Sequence, residues 1–240
     1  NSERCGIFQV VEHKYYNYHH FSIMKEVIMK KLLFWMVLIC SVAVILTSCS
    51  KDEDSTTAAS TSVTSTTASG SITVGSETLS GTYVSECITT QFAAAAGTSV
   101  FPSDVKSGKT VIVVTGDAAI SEETLMYTDT SCSTPTAYIK NGRDNVTVGA
   151  ASGNYYQVTH GSSTFKVKAD TAVAVTHLED ALRPNISDID LTLGQEFSST
   201  GSSSAYKNVW SVTSTTFQKG EELDNGTQPT AMDSPTYTKK

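Results

Sequence analysis

His160 and His177 are the only imidazoles beyond residue 20, so general-base chemistry in the body of this chain would have to run through one of them. Nucleophilic catalysis needs a serine or cysteine brought to a base and an orienting acid. Serines are plentiful, yet no Gly-x-Ser-x-Gly elbow occurs. His160 precedes Gly161 in an alternating run and is expected on a strand face as an ordinary hydrogen-bonded residue. His177 with Glu179 and Asp180 supplies donors for a metal, but zinc takes three or four ligands in a tight geometry, and no metal is assigned. Asp188-Ile189-Asp190 has the spacing of an oxygen-rich calcium loop without the glycine and distal glutamate of an EF-hand, so a capped turn is expected. No glycine-rich phosphate loop appears. The adjacent carboxylates Glu122-Glu123 and Glu221-Glu222 would point opposite ways on a strand, and solvated edges are expected for them. Asn145-Val146-Thr147, Asn185-Ile186-Ser187 and Asn225-Gly226-Thr227 match the N-glycan sequon, which has little meaning in most bacteria. No catalytic residue, cofactor or metal ligand is assigned.

The thiols carry more information. Lys30 and Lys31 precede an apolar run from Leu32 to Leu46, interrupted by one serine. A basic start and a short apolar run ending in small residues have the layout of an export signal. The run is shorter than the roughly 20 residues needed to span a bilayer as a helix. At its end, Leu46-Thr47-Ser48-Cys49 resembles the lipobox of bacterial lipoproteins, an aliphatic residue and two small residues before cysteine. The small residues would let a peptidase approach the backbone, and the Cys49 thiol would accept the diacylglycerol. Several acyl chains together hold a protein stably where one gives marginal anchoring. Cys40 lies mid-run after Ile39 and does not fit.

The stretch from Asn1 to Ile23 suits no export signal and is expected to be upstream sequence, with initiation at Met24 or Met29 and the signal peptide over 24–48. His13, His19 and His20 are then no metal cluster. Cleavage before Cys49 leaves 12 Lys and Arg against 21 Asp and Glu, a net charge of −9. That argues against nucleic acid, which rewards clustered cations. Cys87 and Cys132 are the remaining thiols. Outside the cytoplasm two cysteines usually pair, the alternative being two separate buried thiols. Closing so long a loop would contribute roughly 4 kcal/mol.

Ser50 follows the proposed lipid site, where an aspartate would resemble an inner-membrane retention signal. Lys51-Asp52-Glu53-Asp54 is similar to the lysine-plus-acidic export signal of Bacteroidetes surface lipoproteins. Outer-membrane attachment, with possible display at the cell surface, is the expectation. From Ser55 to Gly70 the chain is almost entirely Ser, Thr and Ala, with too little apolar area to offset the entropy of ordering. Residues 49–70 are therefore expected to be an unordered tether, reaching on the order of 25 Å.

The body, 71–240, reads as one β-domain. Phe165, Val167 and Ala169 alternate with Lys166 and Lys168, the period of a half-buried strand. Thr110–Thr115 is apolar on both faces and β-branched, as in a more buried strand. Leu125–Thr128, Tyr155–His160, Val173 with Val175, and Tyr206–Val212 supply others. Thr115-Gly116-Asp117, Lys140-Asn141-Gly142, Ser152-Gly153-Asn154 and His160-Gly161-Ser162 are turn-like. Only His177–Leu182 looks helical, stopped by Pro184. An all-β fold of seven to nine strands with one short helix is expected, an antiparallel barrel of about eight strands or a β-sandwich.

Gly81-Thr82-Tyr83-Val84-Ser85-Glu86-Cys87, Tyr127–Cys132, Pro229-Thr230-Ala231 and Tyr237-Thr238-Lys239 resemble an uncharacterised family of bacterial lipoproteins. The resemblance spans Leu79 to Lys240 and implies a disulfide between the first-strand cysteine and the one in the Ser-Cys turn, with no known activity. The Gly-x-aromatic opening is also similar to the first strand of lipocalins, with Tyr83 in place of their tryptophan. The leading expectation is a non-enzymatic envelope lipoprotein, attached to a membrane through Cys49. Its β-domain would bind a small apolar ligand inside a barrel or a partner on its surface, where tyrosine is favoured for its apolar ring and polar tip. A surface adhesin or structural lipoprotein is the second reading, and an enzyme the third.

Overall fold

A computed structural model describes residues 63–240 apart from 163, 201–204, 221–226 and 233–234. The signal segment, Cys49, Glu221-Glu222 and Asn225 lie outside the described residues. The fold is mostly β. A hairpin of β1 (Ile72–Val74) and β2 (Glu77–Leu79) leads into β3 (Thr82–Val84), then the short helix α1 (Thr90–Ala95). Long strands follow: β4 (Ser107–Gly116), β5 (Ala119–Tyr127) and β6 (Pro135–Arg143), then β7 (Thr147–Ser152), β8 (Tyr155–His160) and β9 (Thr164–Ala169). Helix α2 (Ala172–Leu182) precedes β10 (Glu196–Thr200), β11 (Tyr206–Val212), β12 (Thr216–Lys219) and β13 (Tyr237–Lys239).

Strands β3 to β13 form one sheet in the order β10-β9-β6-β5-β4-β3-β13-β12-β11-β8-β7, antiparallel at every pairing. No pairing joins the end strands β7 and β10 among the described residues, so no closed barrel is found there. The sheet nevertheless curls. Residues directly opposite one another in an antiparallel pair share a face, which puts Ile120, Glu122, Met126, Ile139, Arg143 and Val167 on the same side as Tyr83, Trp210 and Phe217. Across that inner face Lys219 on β12 bonds Glu122 on β5, and Arg143 on β6 lies 5.3 Å from the Tyr206 ring on β11. Contacts between strands so far apart in the order require the two halves of the sheet to face each other.

The inner face is filled. At one end Ile72, Val74 and Leu79 of the hairpin cover Tyr83, Ile112, Trp210, Phe217 and Tyr237, with Trp210 and Phe217 edge to face at 5.3 Å. Gly75, at φ +63°, turns the hairpin and is small enough for the Tyr156 ring to occupy the space of its missing side chain. At the other end α2 buries Ala174, Leu178 and Leu182 against Met126, Ala137, Ile139, Val167 and Ala169. Gly108 plays a matching part on β4, where the Phe92 ring of α1 sits over its bare Cα.

Several expectations need correction. Val173 and Val175 are helical. The Thr171 hydroxyl accepts from the Ala174 N–H at 3.1 Å and starts α2 early, which puts residues 174, 178 and 182 on one buried stripe. A second helix, α1, exists. Asn141-Gly142 is no turn: both lie inside β6, paired on one side with Glu122 and Ser121 and on the other with Phe165 and Thr164. Glu122 and Glu123 do point to opposite faces, but neither is at a solvated edge; Glu123 is 2% exposed. The end of the expected tether is ordered as well. Residues 63–69 lie across the outer face of β4–β6, because that face offers a buried carboxylate and an ammonium to their hydroxyls. The strands over 164–169, 155–160 and 206–212 stand where the alternation places them.

Candidate functional site

The register across β4–β5–β6–β9–β10 arranges the outer face in rows. One reads Lys109, Leu125, Tyr138, Lys168, Glu196; the next reads Val111, Glu123, Lys140, Lys166, Ser198. Residues 63–69, the strap, cross this face. Thr64 Oγ1 donates to Glu123 Oε2 at 2.5 Å, and the Thr66 hydroxyl donates to Glu123 Oε1. Ser121 Oγ adds a bond to the same Oε1 at 3.1 Å. Lys140 Nζ lies 3.7 Å from Glu123 and donates to Ser65 Oγ at 2.9 Å and Thr66 Oγ1 at 3.2 Å. A buried ion pair of this kind is tolerable only when its remaining lone pairs and protons are satisfied, and the strap satisfies them.

Clefts open on both sides of the strap. The larger, about 740 Å³, is walled by Lys109, Leu125, Tyr127, Tyr138, Lys168 and Asp170. The smaller, about 340 Å³, is bordered by Ser65, Thr66, Lys140, Thr164, Lys166 and Glu196. Ion pairs stand in both: Lys168 to Asp170 at 2.8 Å and Lys166 to Glu196 at 2.8 Å. Tyr138 Oη donates to Glu196 Oε2 at 2.6 Å. Burial and that bond to Glu196 push the Tyr138 phenol up, so it stays protonated as a donor. Burial works to raise Glu196, but bonds from Lys166 and Tyr138 prevail and hold it below the usual carboxylate range. Burial, and then the charge of Asp129, push the Tyr127 phenol up.

The disulfide borders the larger cleft. Cys87 and Cys132 are bonded, with Cα atoms 5.9 Å apart. Asp129 shapes the turn carrying Cys132, accepting from Ser131 Oγ at 2.6 Å, Ser131 N at 2.7 Å and Thr134 N at 2.5 Å. The Ser131 hydroxyl first, and the Thr134 and Ser131 amides with it, hold the Asp129 carboxyl well below its ordinary range.

The residues weighed for catalysis stay apart. His160 Nδ1 lies 3.0 Å from the Gly161 carbonyl, its ring stacked on Tyr206 at 5.7 Å. His177 Nε2 lies 2.8 Å from the Ser99 carbonyl, and Glu179 accepts the Leu191 N–H at 2.7 Å. Among the described residues no group of three or more His, Cys, Asp or Glu is placed to hold a metal ion. The inner-face triad Glu122–Arg143–Lys219 escaped sequence reading, since its members are 21 and 97 residues apart. Burial raises Glu122, yet Lys219 and Arg143 outweigh it and bring the carboxyl down to about 2. The strap–Glu123–Lys140 cluster escaped it too: Lys140 reads as part of a turn, Glu123 as a solvated edge and the strap as unordered tether.

No protein-family model matches the chain, and no curated protein matches it. No helix among the described residues is long and apolar enough to cross a membrane.

Proposed function

We propose that this chain is a lipid-anchored lipoprotein of a bacterial outer membrane, with a non-catalytic binding module standing on Cys49. The anchor rests on Leu46-Thr47-Ser48-Cys49 at the end of a basic-then-apolar leader, and the cell-surface address on its likeness to the Lys51-Asp52-Glu53-Asp54 signal. The sheet is read as a barrel-like curl related to the lipocalin plan, with Tyr83 at the inner floor; contacts between β5–β6 and β11–β12 support the curl.

One observation carries the binding role: a cleft of about 740 Å³ with convergent tyrosines, lysines and an aspartate on the outer face of a rigid sheet. Ligand sites are concave, partly apolar and furnished with a few placed polar groups. The inner face, where an apolar ligand would sit, is packed with Trp210, Phe217, Tyr83 and Leu178, each under 2% exposed. A surface ligand or partner is therefore favoured over an interior one. Native mass spectrometry of the full chain extracted from its own envelope tests the module. A retained mass that is lost when Tyr138 and Lys168 are replaced supports it; the bare protein mass under mild extraction, with no ligand recovered by equilibrium dialysis against an envelope extract, removes it.

A further inference from the structure

Three carboxylate–ammonium pairs stand on the outer face. Lys168–Asp170 stands in the larger cleft, Glu123–Lys140 lies under the strap, and Lys166–Glu196 borders the smaller cleft. The pair under the strap displays what such a pair does here. Both Glu123 oxygens accept strap hydroxyls, and Lys140 Nζ donates to two strap hydroxyls, so one pair holds Thr64, Ser65 and Thr66 at once. A hydroxyl both donates and accepts, and a carboxylate beside an ammonium answers both needs. Closely spaced hydroxyls are also what a sugar ring presents on its edge, while its C–H faces want aromatic surface.

The other two pairs, on β9 and β10, offer the same chemistry without a bond to the strap. Beside Lys168 and Asp170 lie the rings of Tyr127 and Tyr138 and the side chain of Leu125. Lys109, in the same row as Leu125, adds an ammonium with no ion-pair or hydrogen-bond partner among the described residues. Because each cation of the three pairs already faces its own anion, the face suits a neutral ligand better than a strongly charged one. We propose that the outer face of β4–β5–β6–β9–β10 binds a neutral oligosaccharide. Sugar hydroxyls engage Lys168–Asp170 in the larger cleft, a ring lies against Tyr127 or Tyr138, and the strap forms the wall between the clefts. This identifies the ligand class of the module proposed above and rests on that reading.

The test is isothermal titration of the full-length lipoprotein in detergent. The probes are neutral hexasaccharides of glucose, mannose, xylose and N-acetylglucosamine, with hexagalacturonate as the charged comparison. Saturable binding of at least one neutral hexasaccharide is expected, insensitive to 0.5 M salt, and weakened about tenfold by Lys168→Met with Asp170→Asn. Lys109→Met, which breaks no bond among the described residues, serves as the second variant and is expected to weaken the same ligand if the double variant unfolds. Binding to none of the neutral probes, binding to hexagalacturonate alone with loss in salt, or neutral binding unmoved by the folded variants would overturn the glycan. A non-carbohydrate ligand retained in native mass spectrometry would then leave the binding module standing, whereas the bare protein mass would remove both.

Discussion

At the residue scale, charge and hydroxyl groups inside the fold divide into satisfied and unsatisfied ones. Glu122 is satisfied by Arg143 at 2.8 Å and by Lys219, and its pKa of about 2 lies below the ordinary carboxylate value of 4.5. A carboxyl lowered on folding contributes stability that is complete above the unfolded value and disappears as pH falls through the folded one. The window is therefore acid, between about 4.5 and 2. Burial pulls Lys219 down, but Glu122 lifts it above its ordinary value, so its share is intact until strongly alkaline pH. Urea unfolding at pH 7 and pH 3 should show the wild type losing roughly 2 kcal/mol more than Glu122→Gln does. Equal losses would contradict the triad. Tyr83 is the opposite case, its hydroxyl buried without a hydrogen-bond partner among the described residues. Tyr83→Phe removes an unpaid desolvation cost and should leave the melting temperature unchanged or raise it, by up to about 1 kcal/mol of stability. A clear loss would mean that the hydroxyl has a role in the native state.

At the element scale, packing on the inner face sets which segments matter. Leu178 is fully buried in the stripe by which α2 covers β5–β6–β9, so Leu178→Ala should cost about 2–5 kcal/mol in chemical denaturation. Val173, 46% exposed one turn away, should tolerate alanine within about 0.5 kcal/mol. Strands were legible in the sequence where one face is apolar and the other polar, as in Phe165–Ala169, whereas the long β6 was not. The alternation failed at Val173 and Val175, where two β-branched residues two apart satisfy a strand's period and a helix's loose one alike, and the Thr171 cap decided for helix. It failed at Asn141-Gly142, since a turn signal inside a strand is overridden when both neighbours, β5 and β9, pair with it. The strap was misread for a different reason. Composition reports how much apolar surface a segment can bury, and residues 63–69 are held mainly by hydroxyls whose partners, Glu123 and Lys140, lie 57 to 75 residues away. Of the cleft residues, Leu125, Tyr127 and Lys168 were legible only as members of separate strands. Their assembly depends on register, which the sequence does not state.

At the scale of the β-domain, the curled antiparallel sheet packs most of its buried apolar residues on the inner face, while Val84, Val111, Val113 and Leu125 form a smaller buried cluster on the outer face, covered in part by Val63 of the strap. The Cys87–Cys132 bond ties the segment after β3 to the β5–β6 turn at the edge of the larger cleft, and closing a loop of 45 residues contributes roughly 4 kcal/mol. The bond suits an oxidising compartment, where two cysteines usually pair. In sequence, 13 residues separate the strap from Cys49, the lipid-bearing residue proposed above. Mass spectrometry of the protein isolated from its own membranes measures that lipidation most directly. The predicted result is an N-terminal peptide beginning at Cys49 with diacylglycerol on the thiol, absent after Cys49→Ala. A mature terminus elsewhere, or an unmodified Cys49, would contradict it.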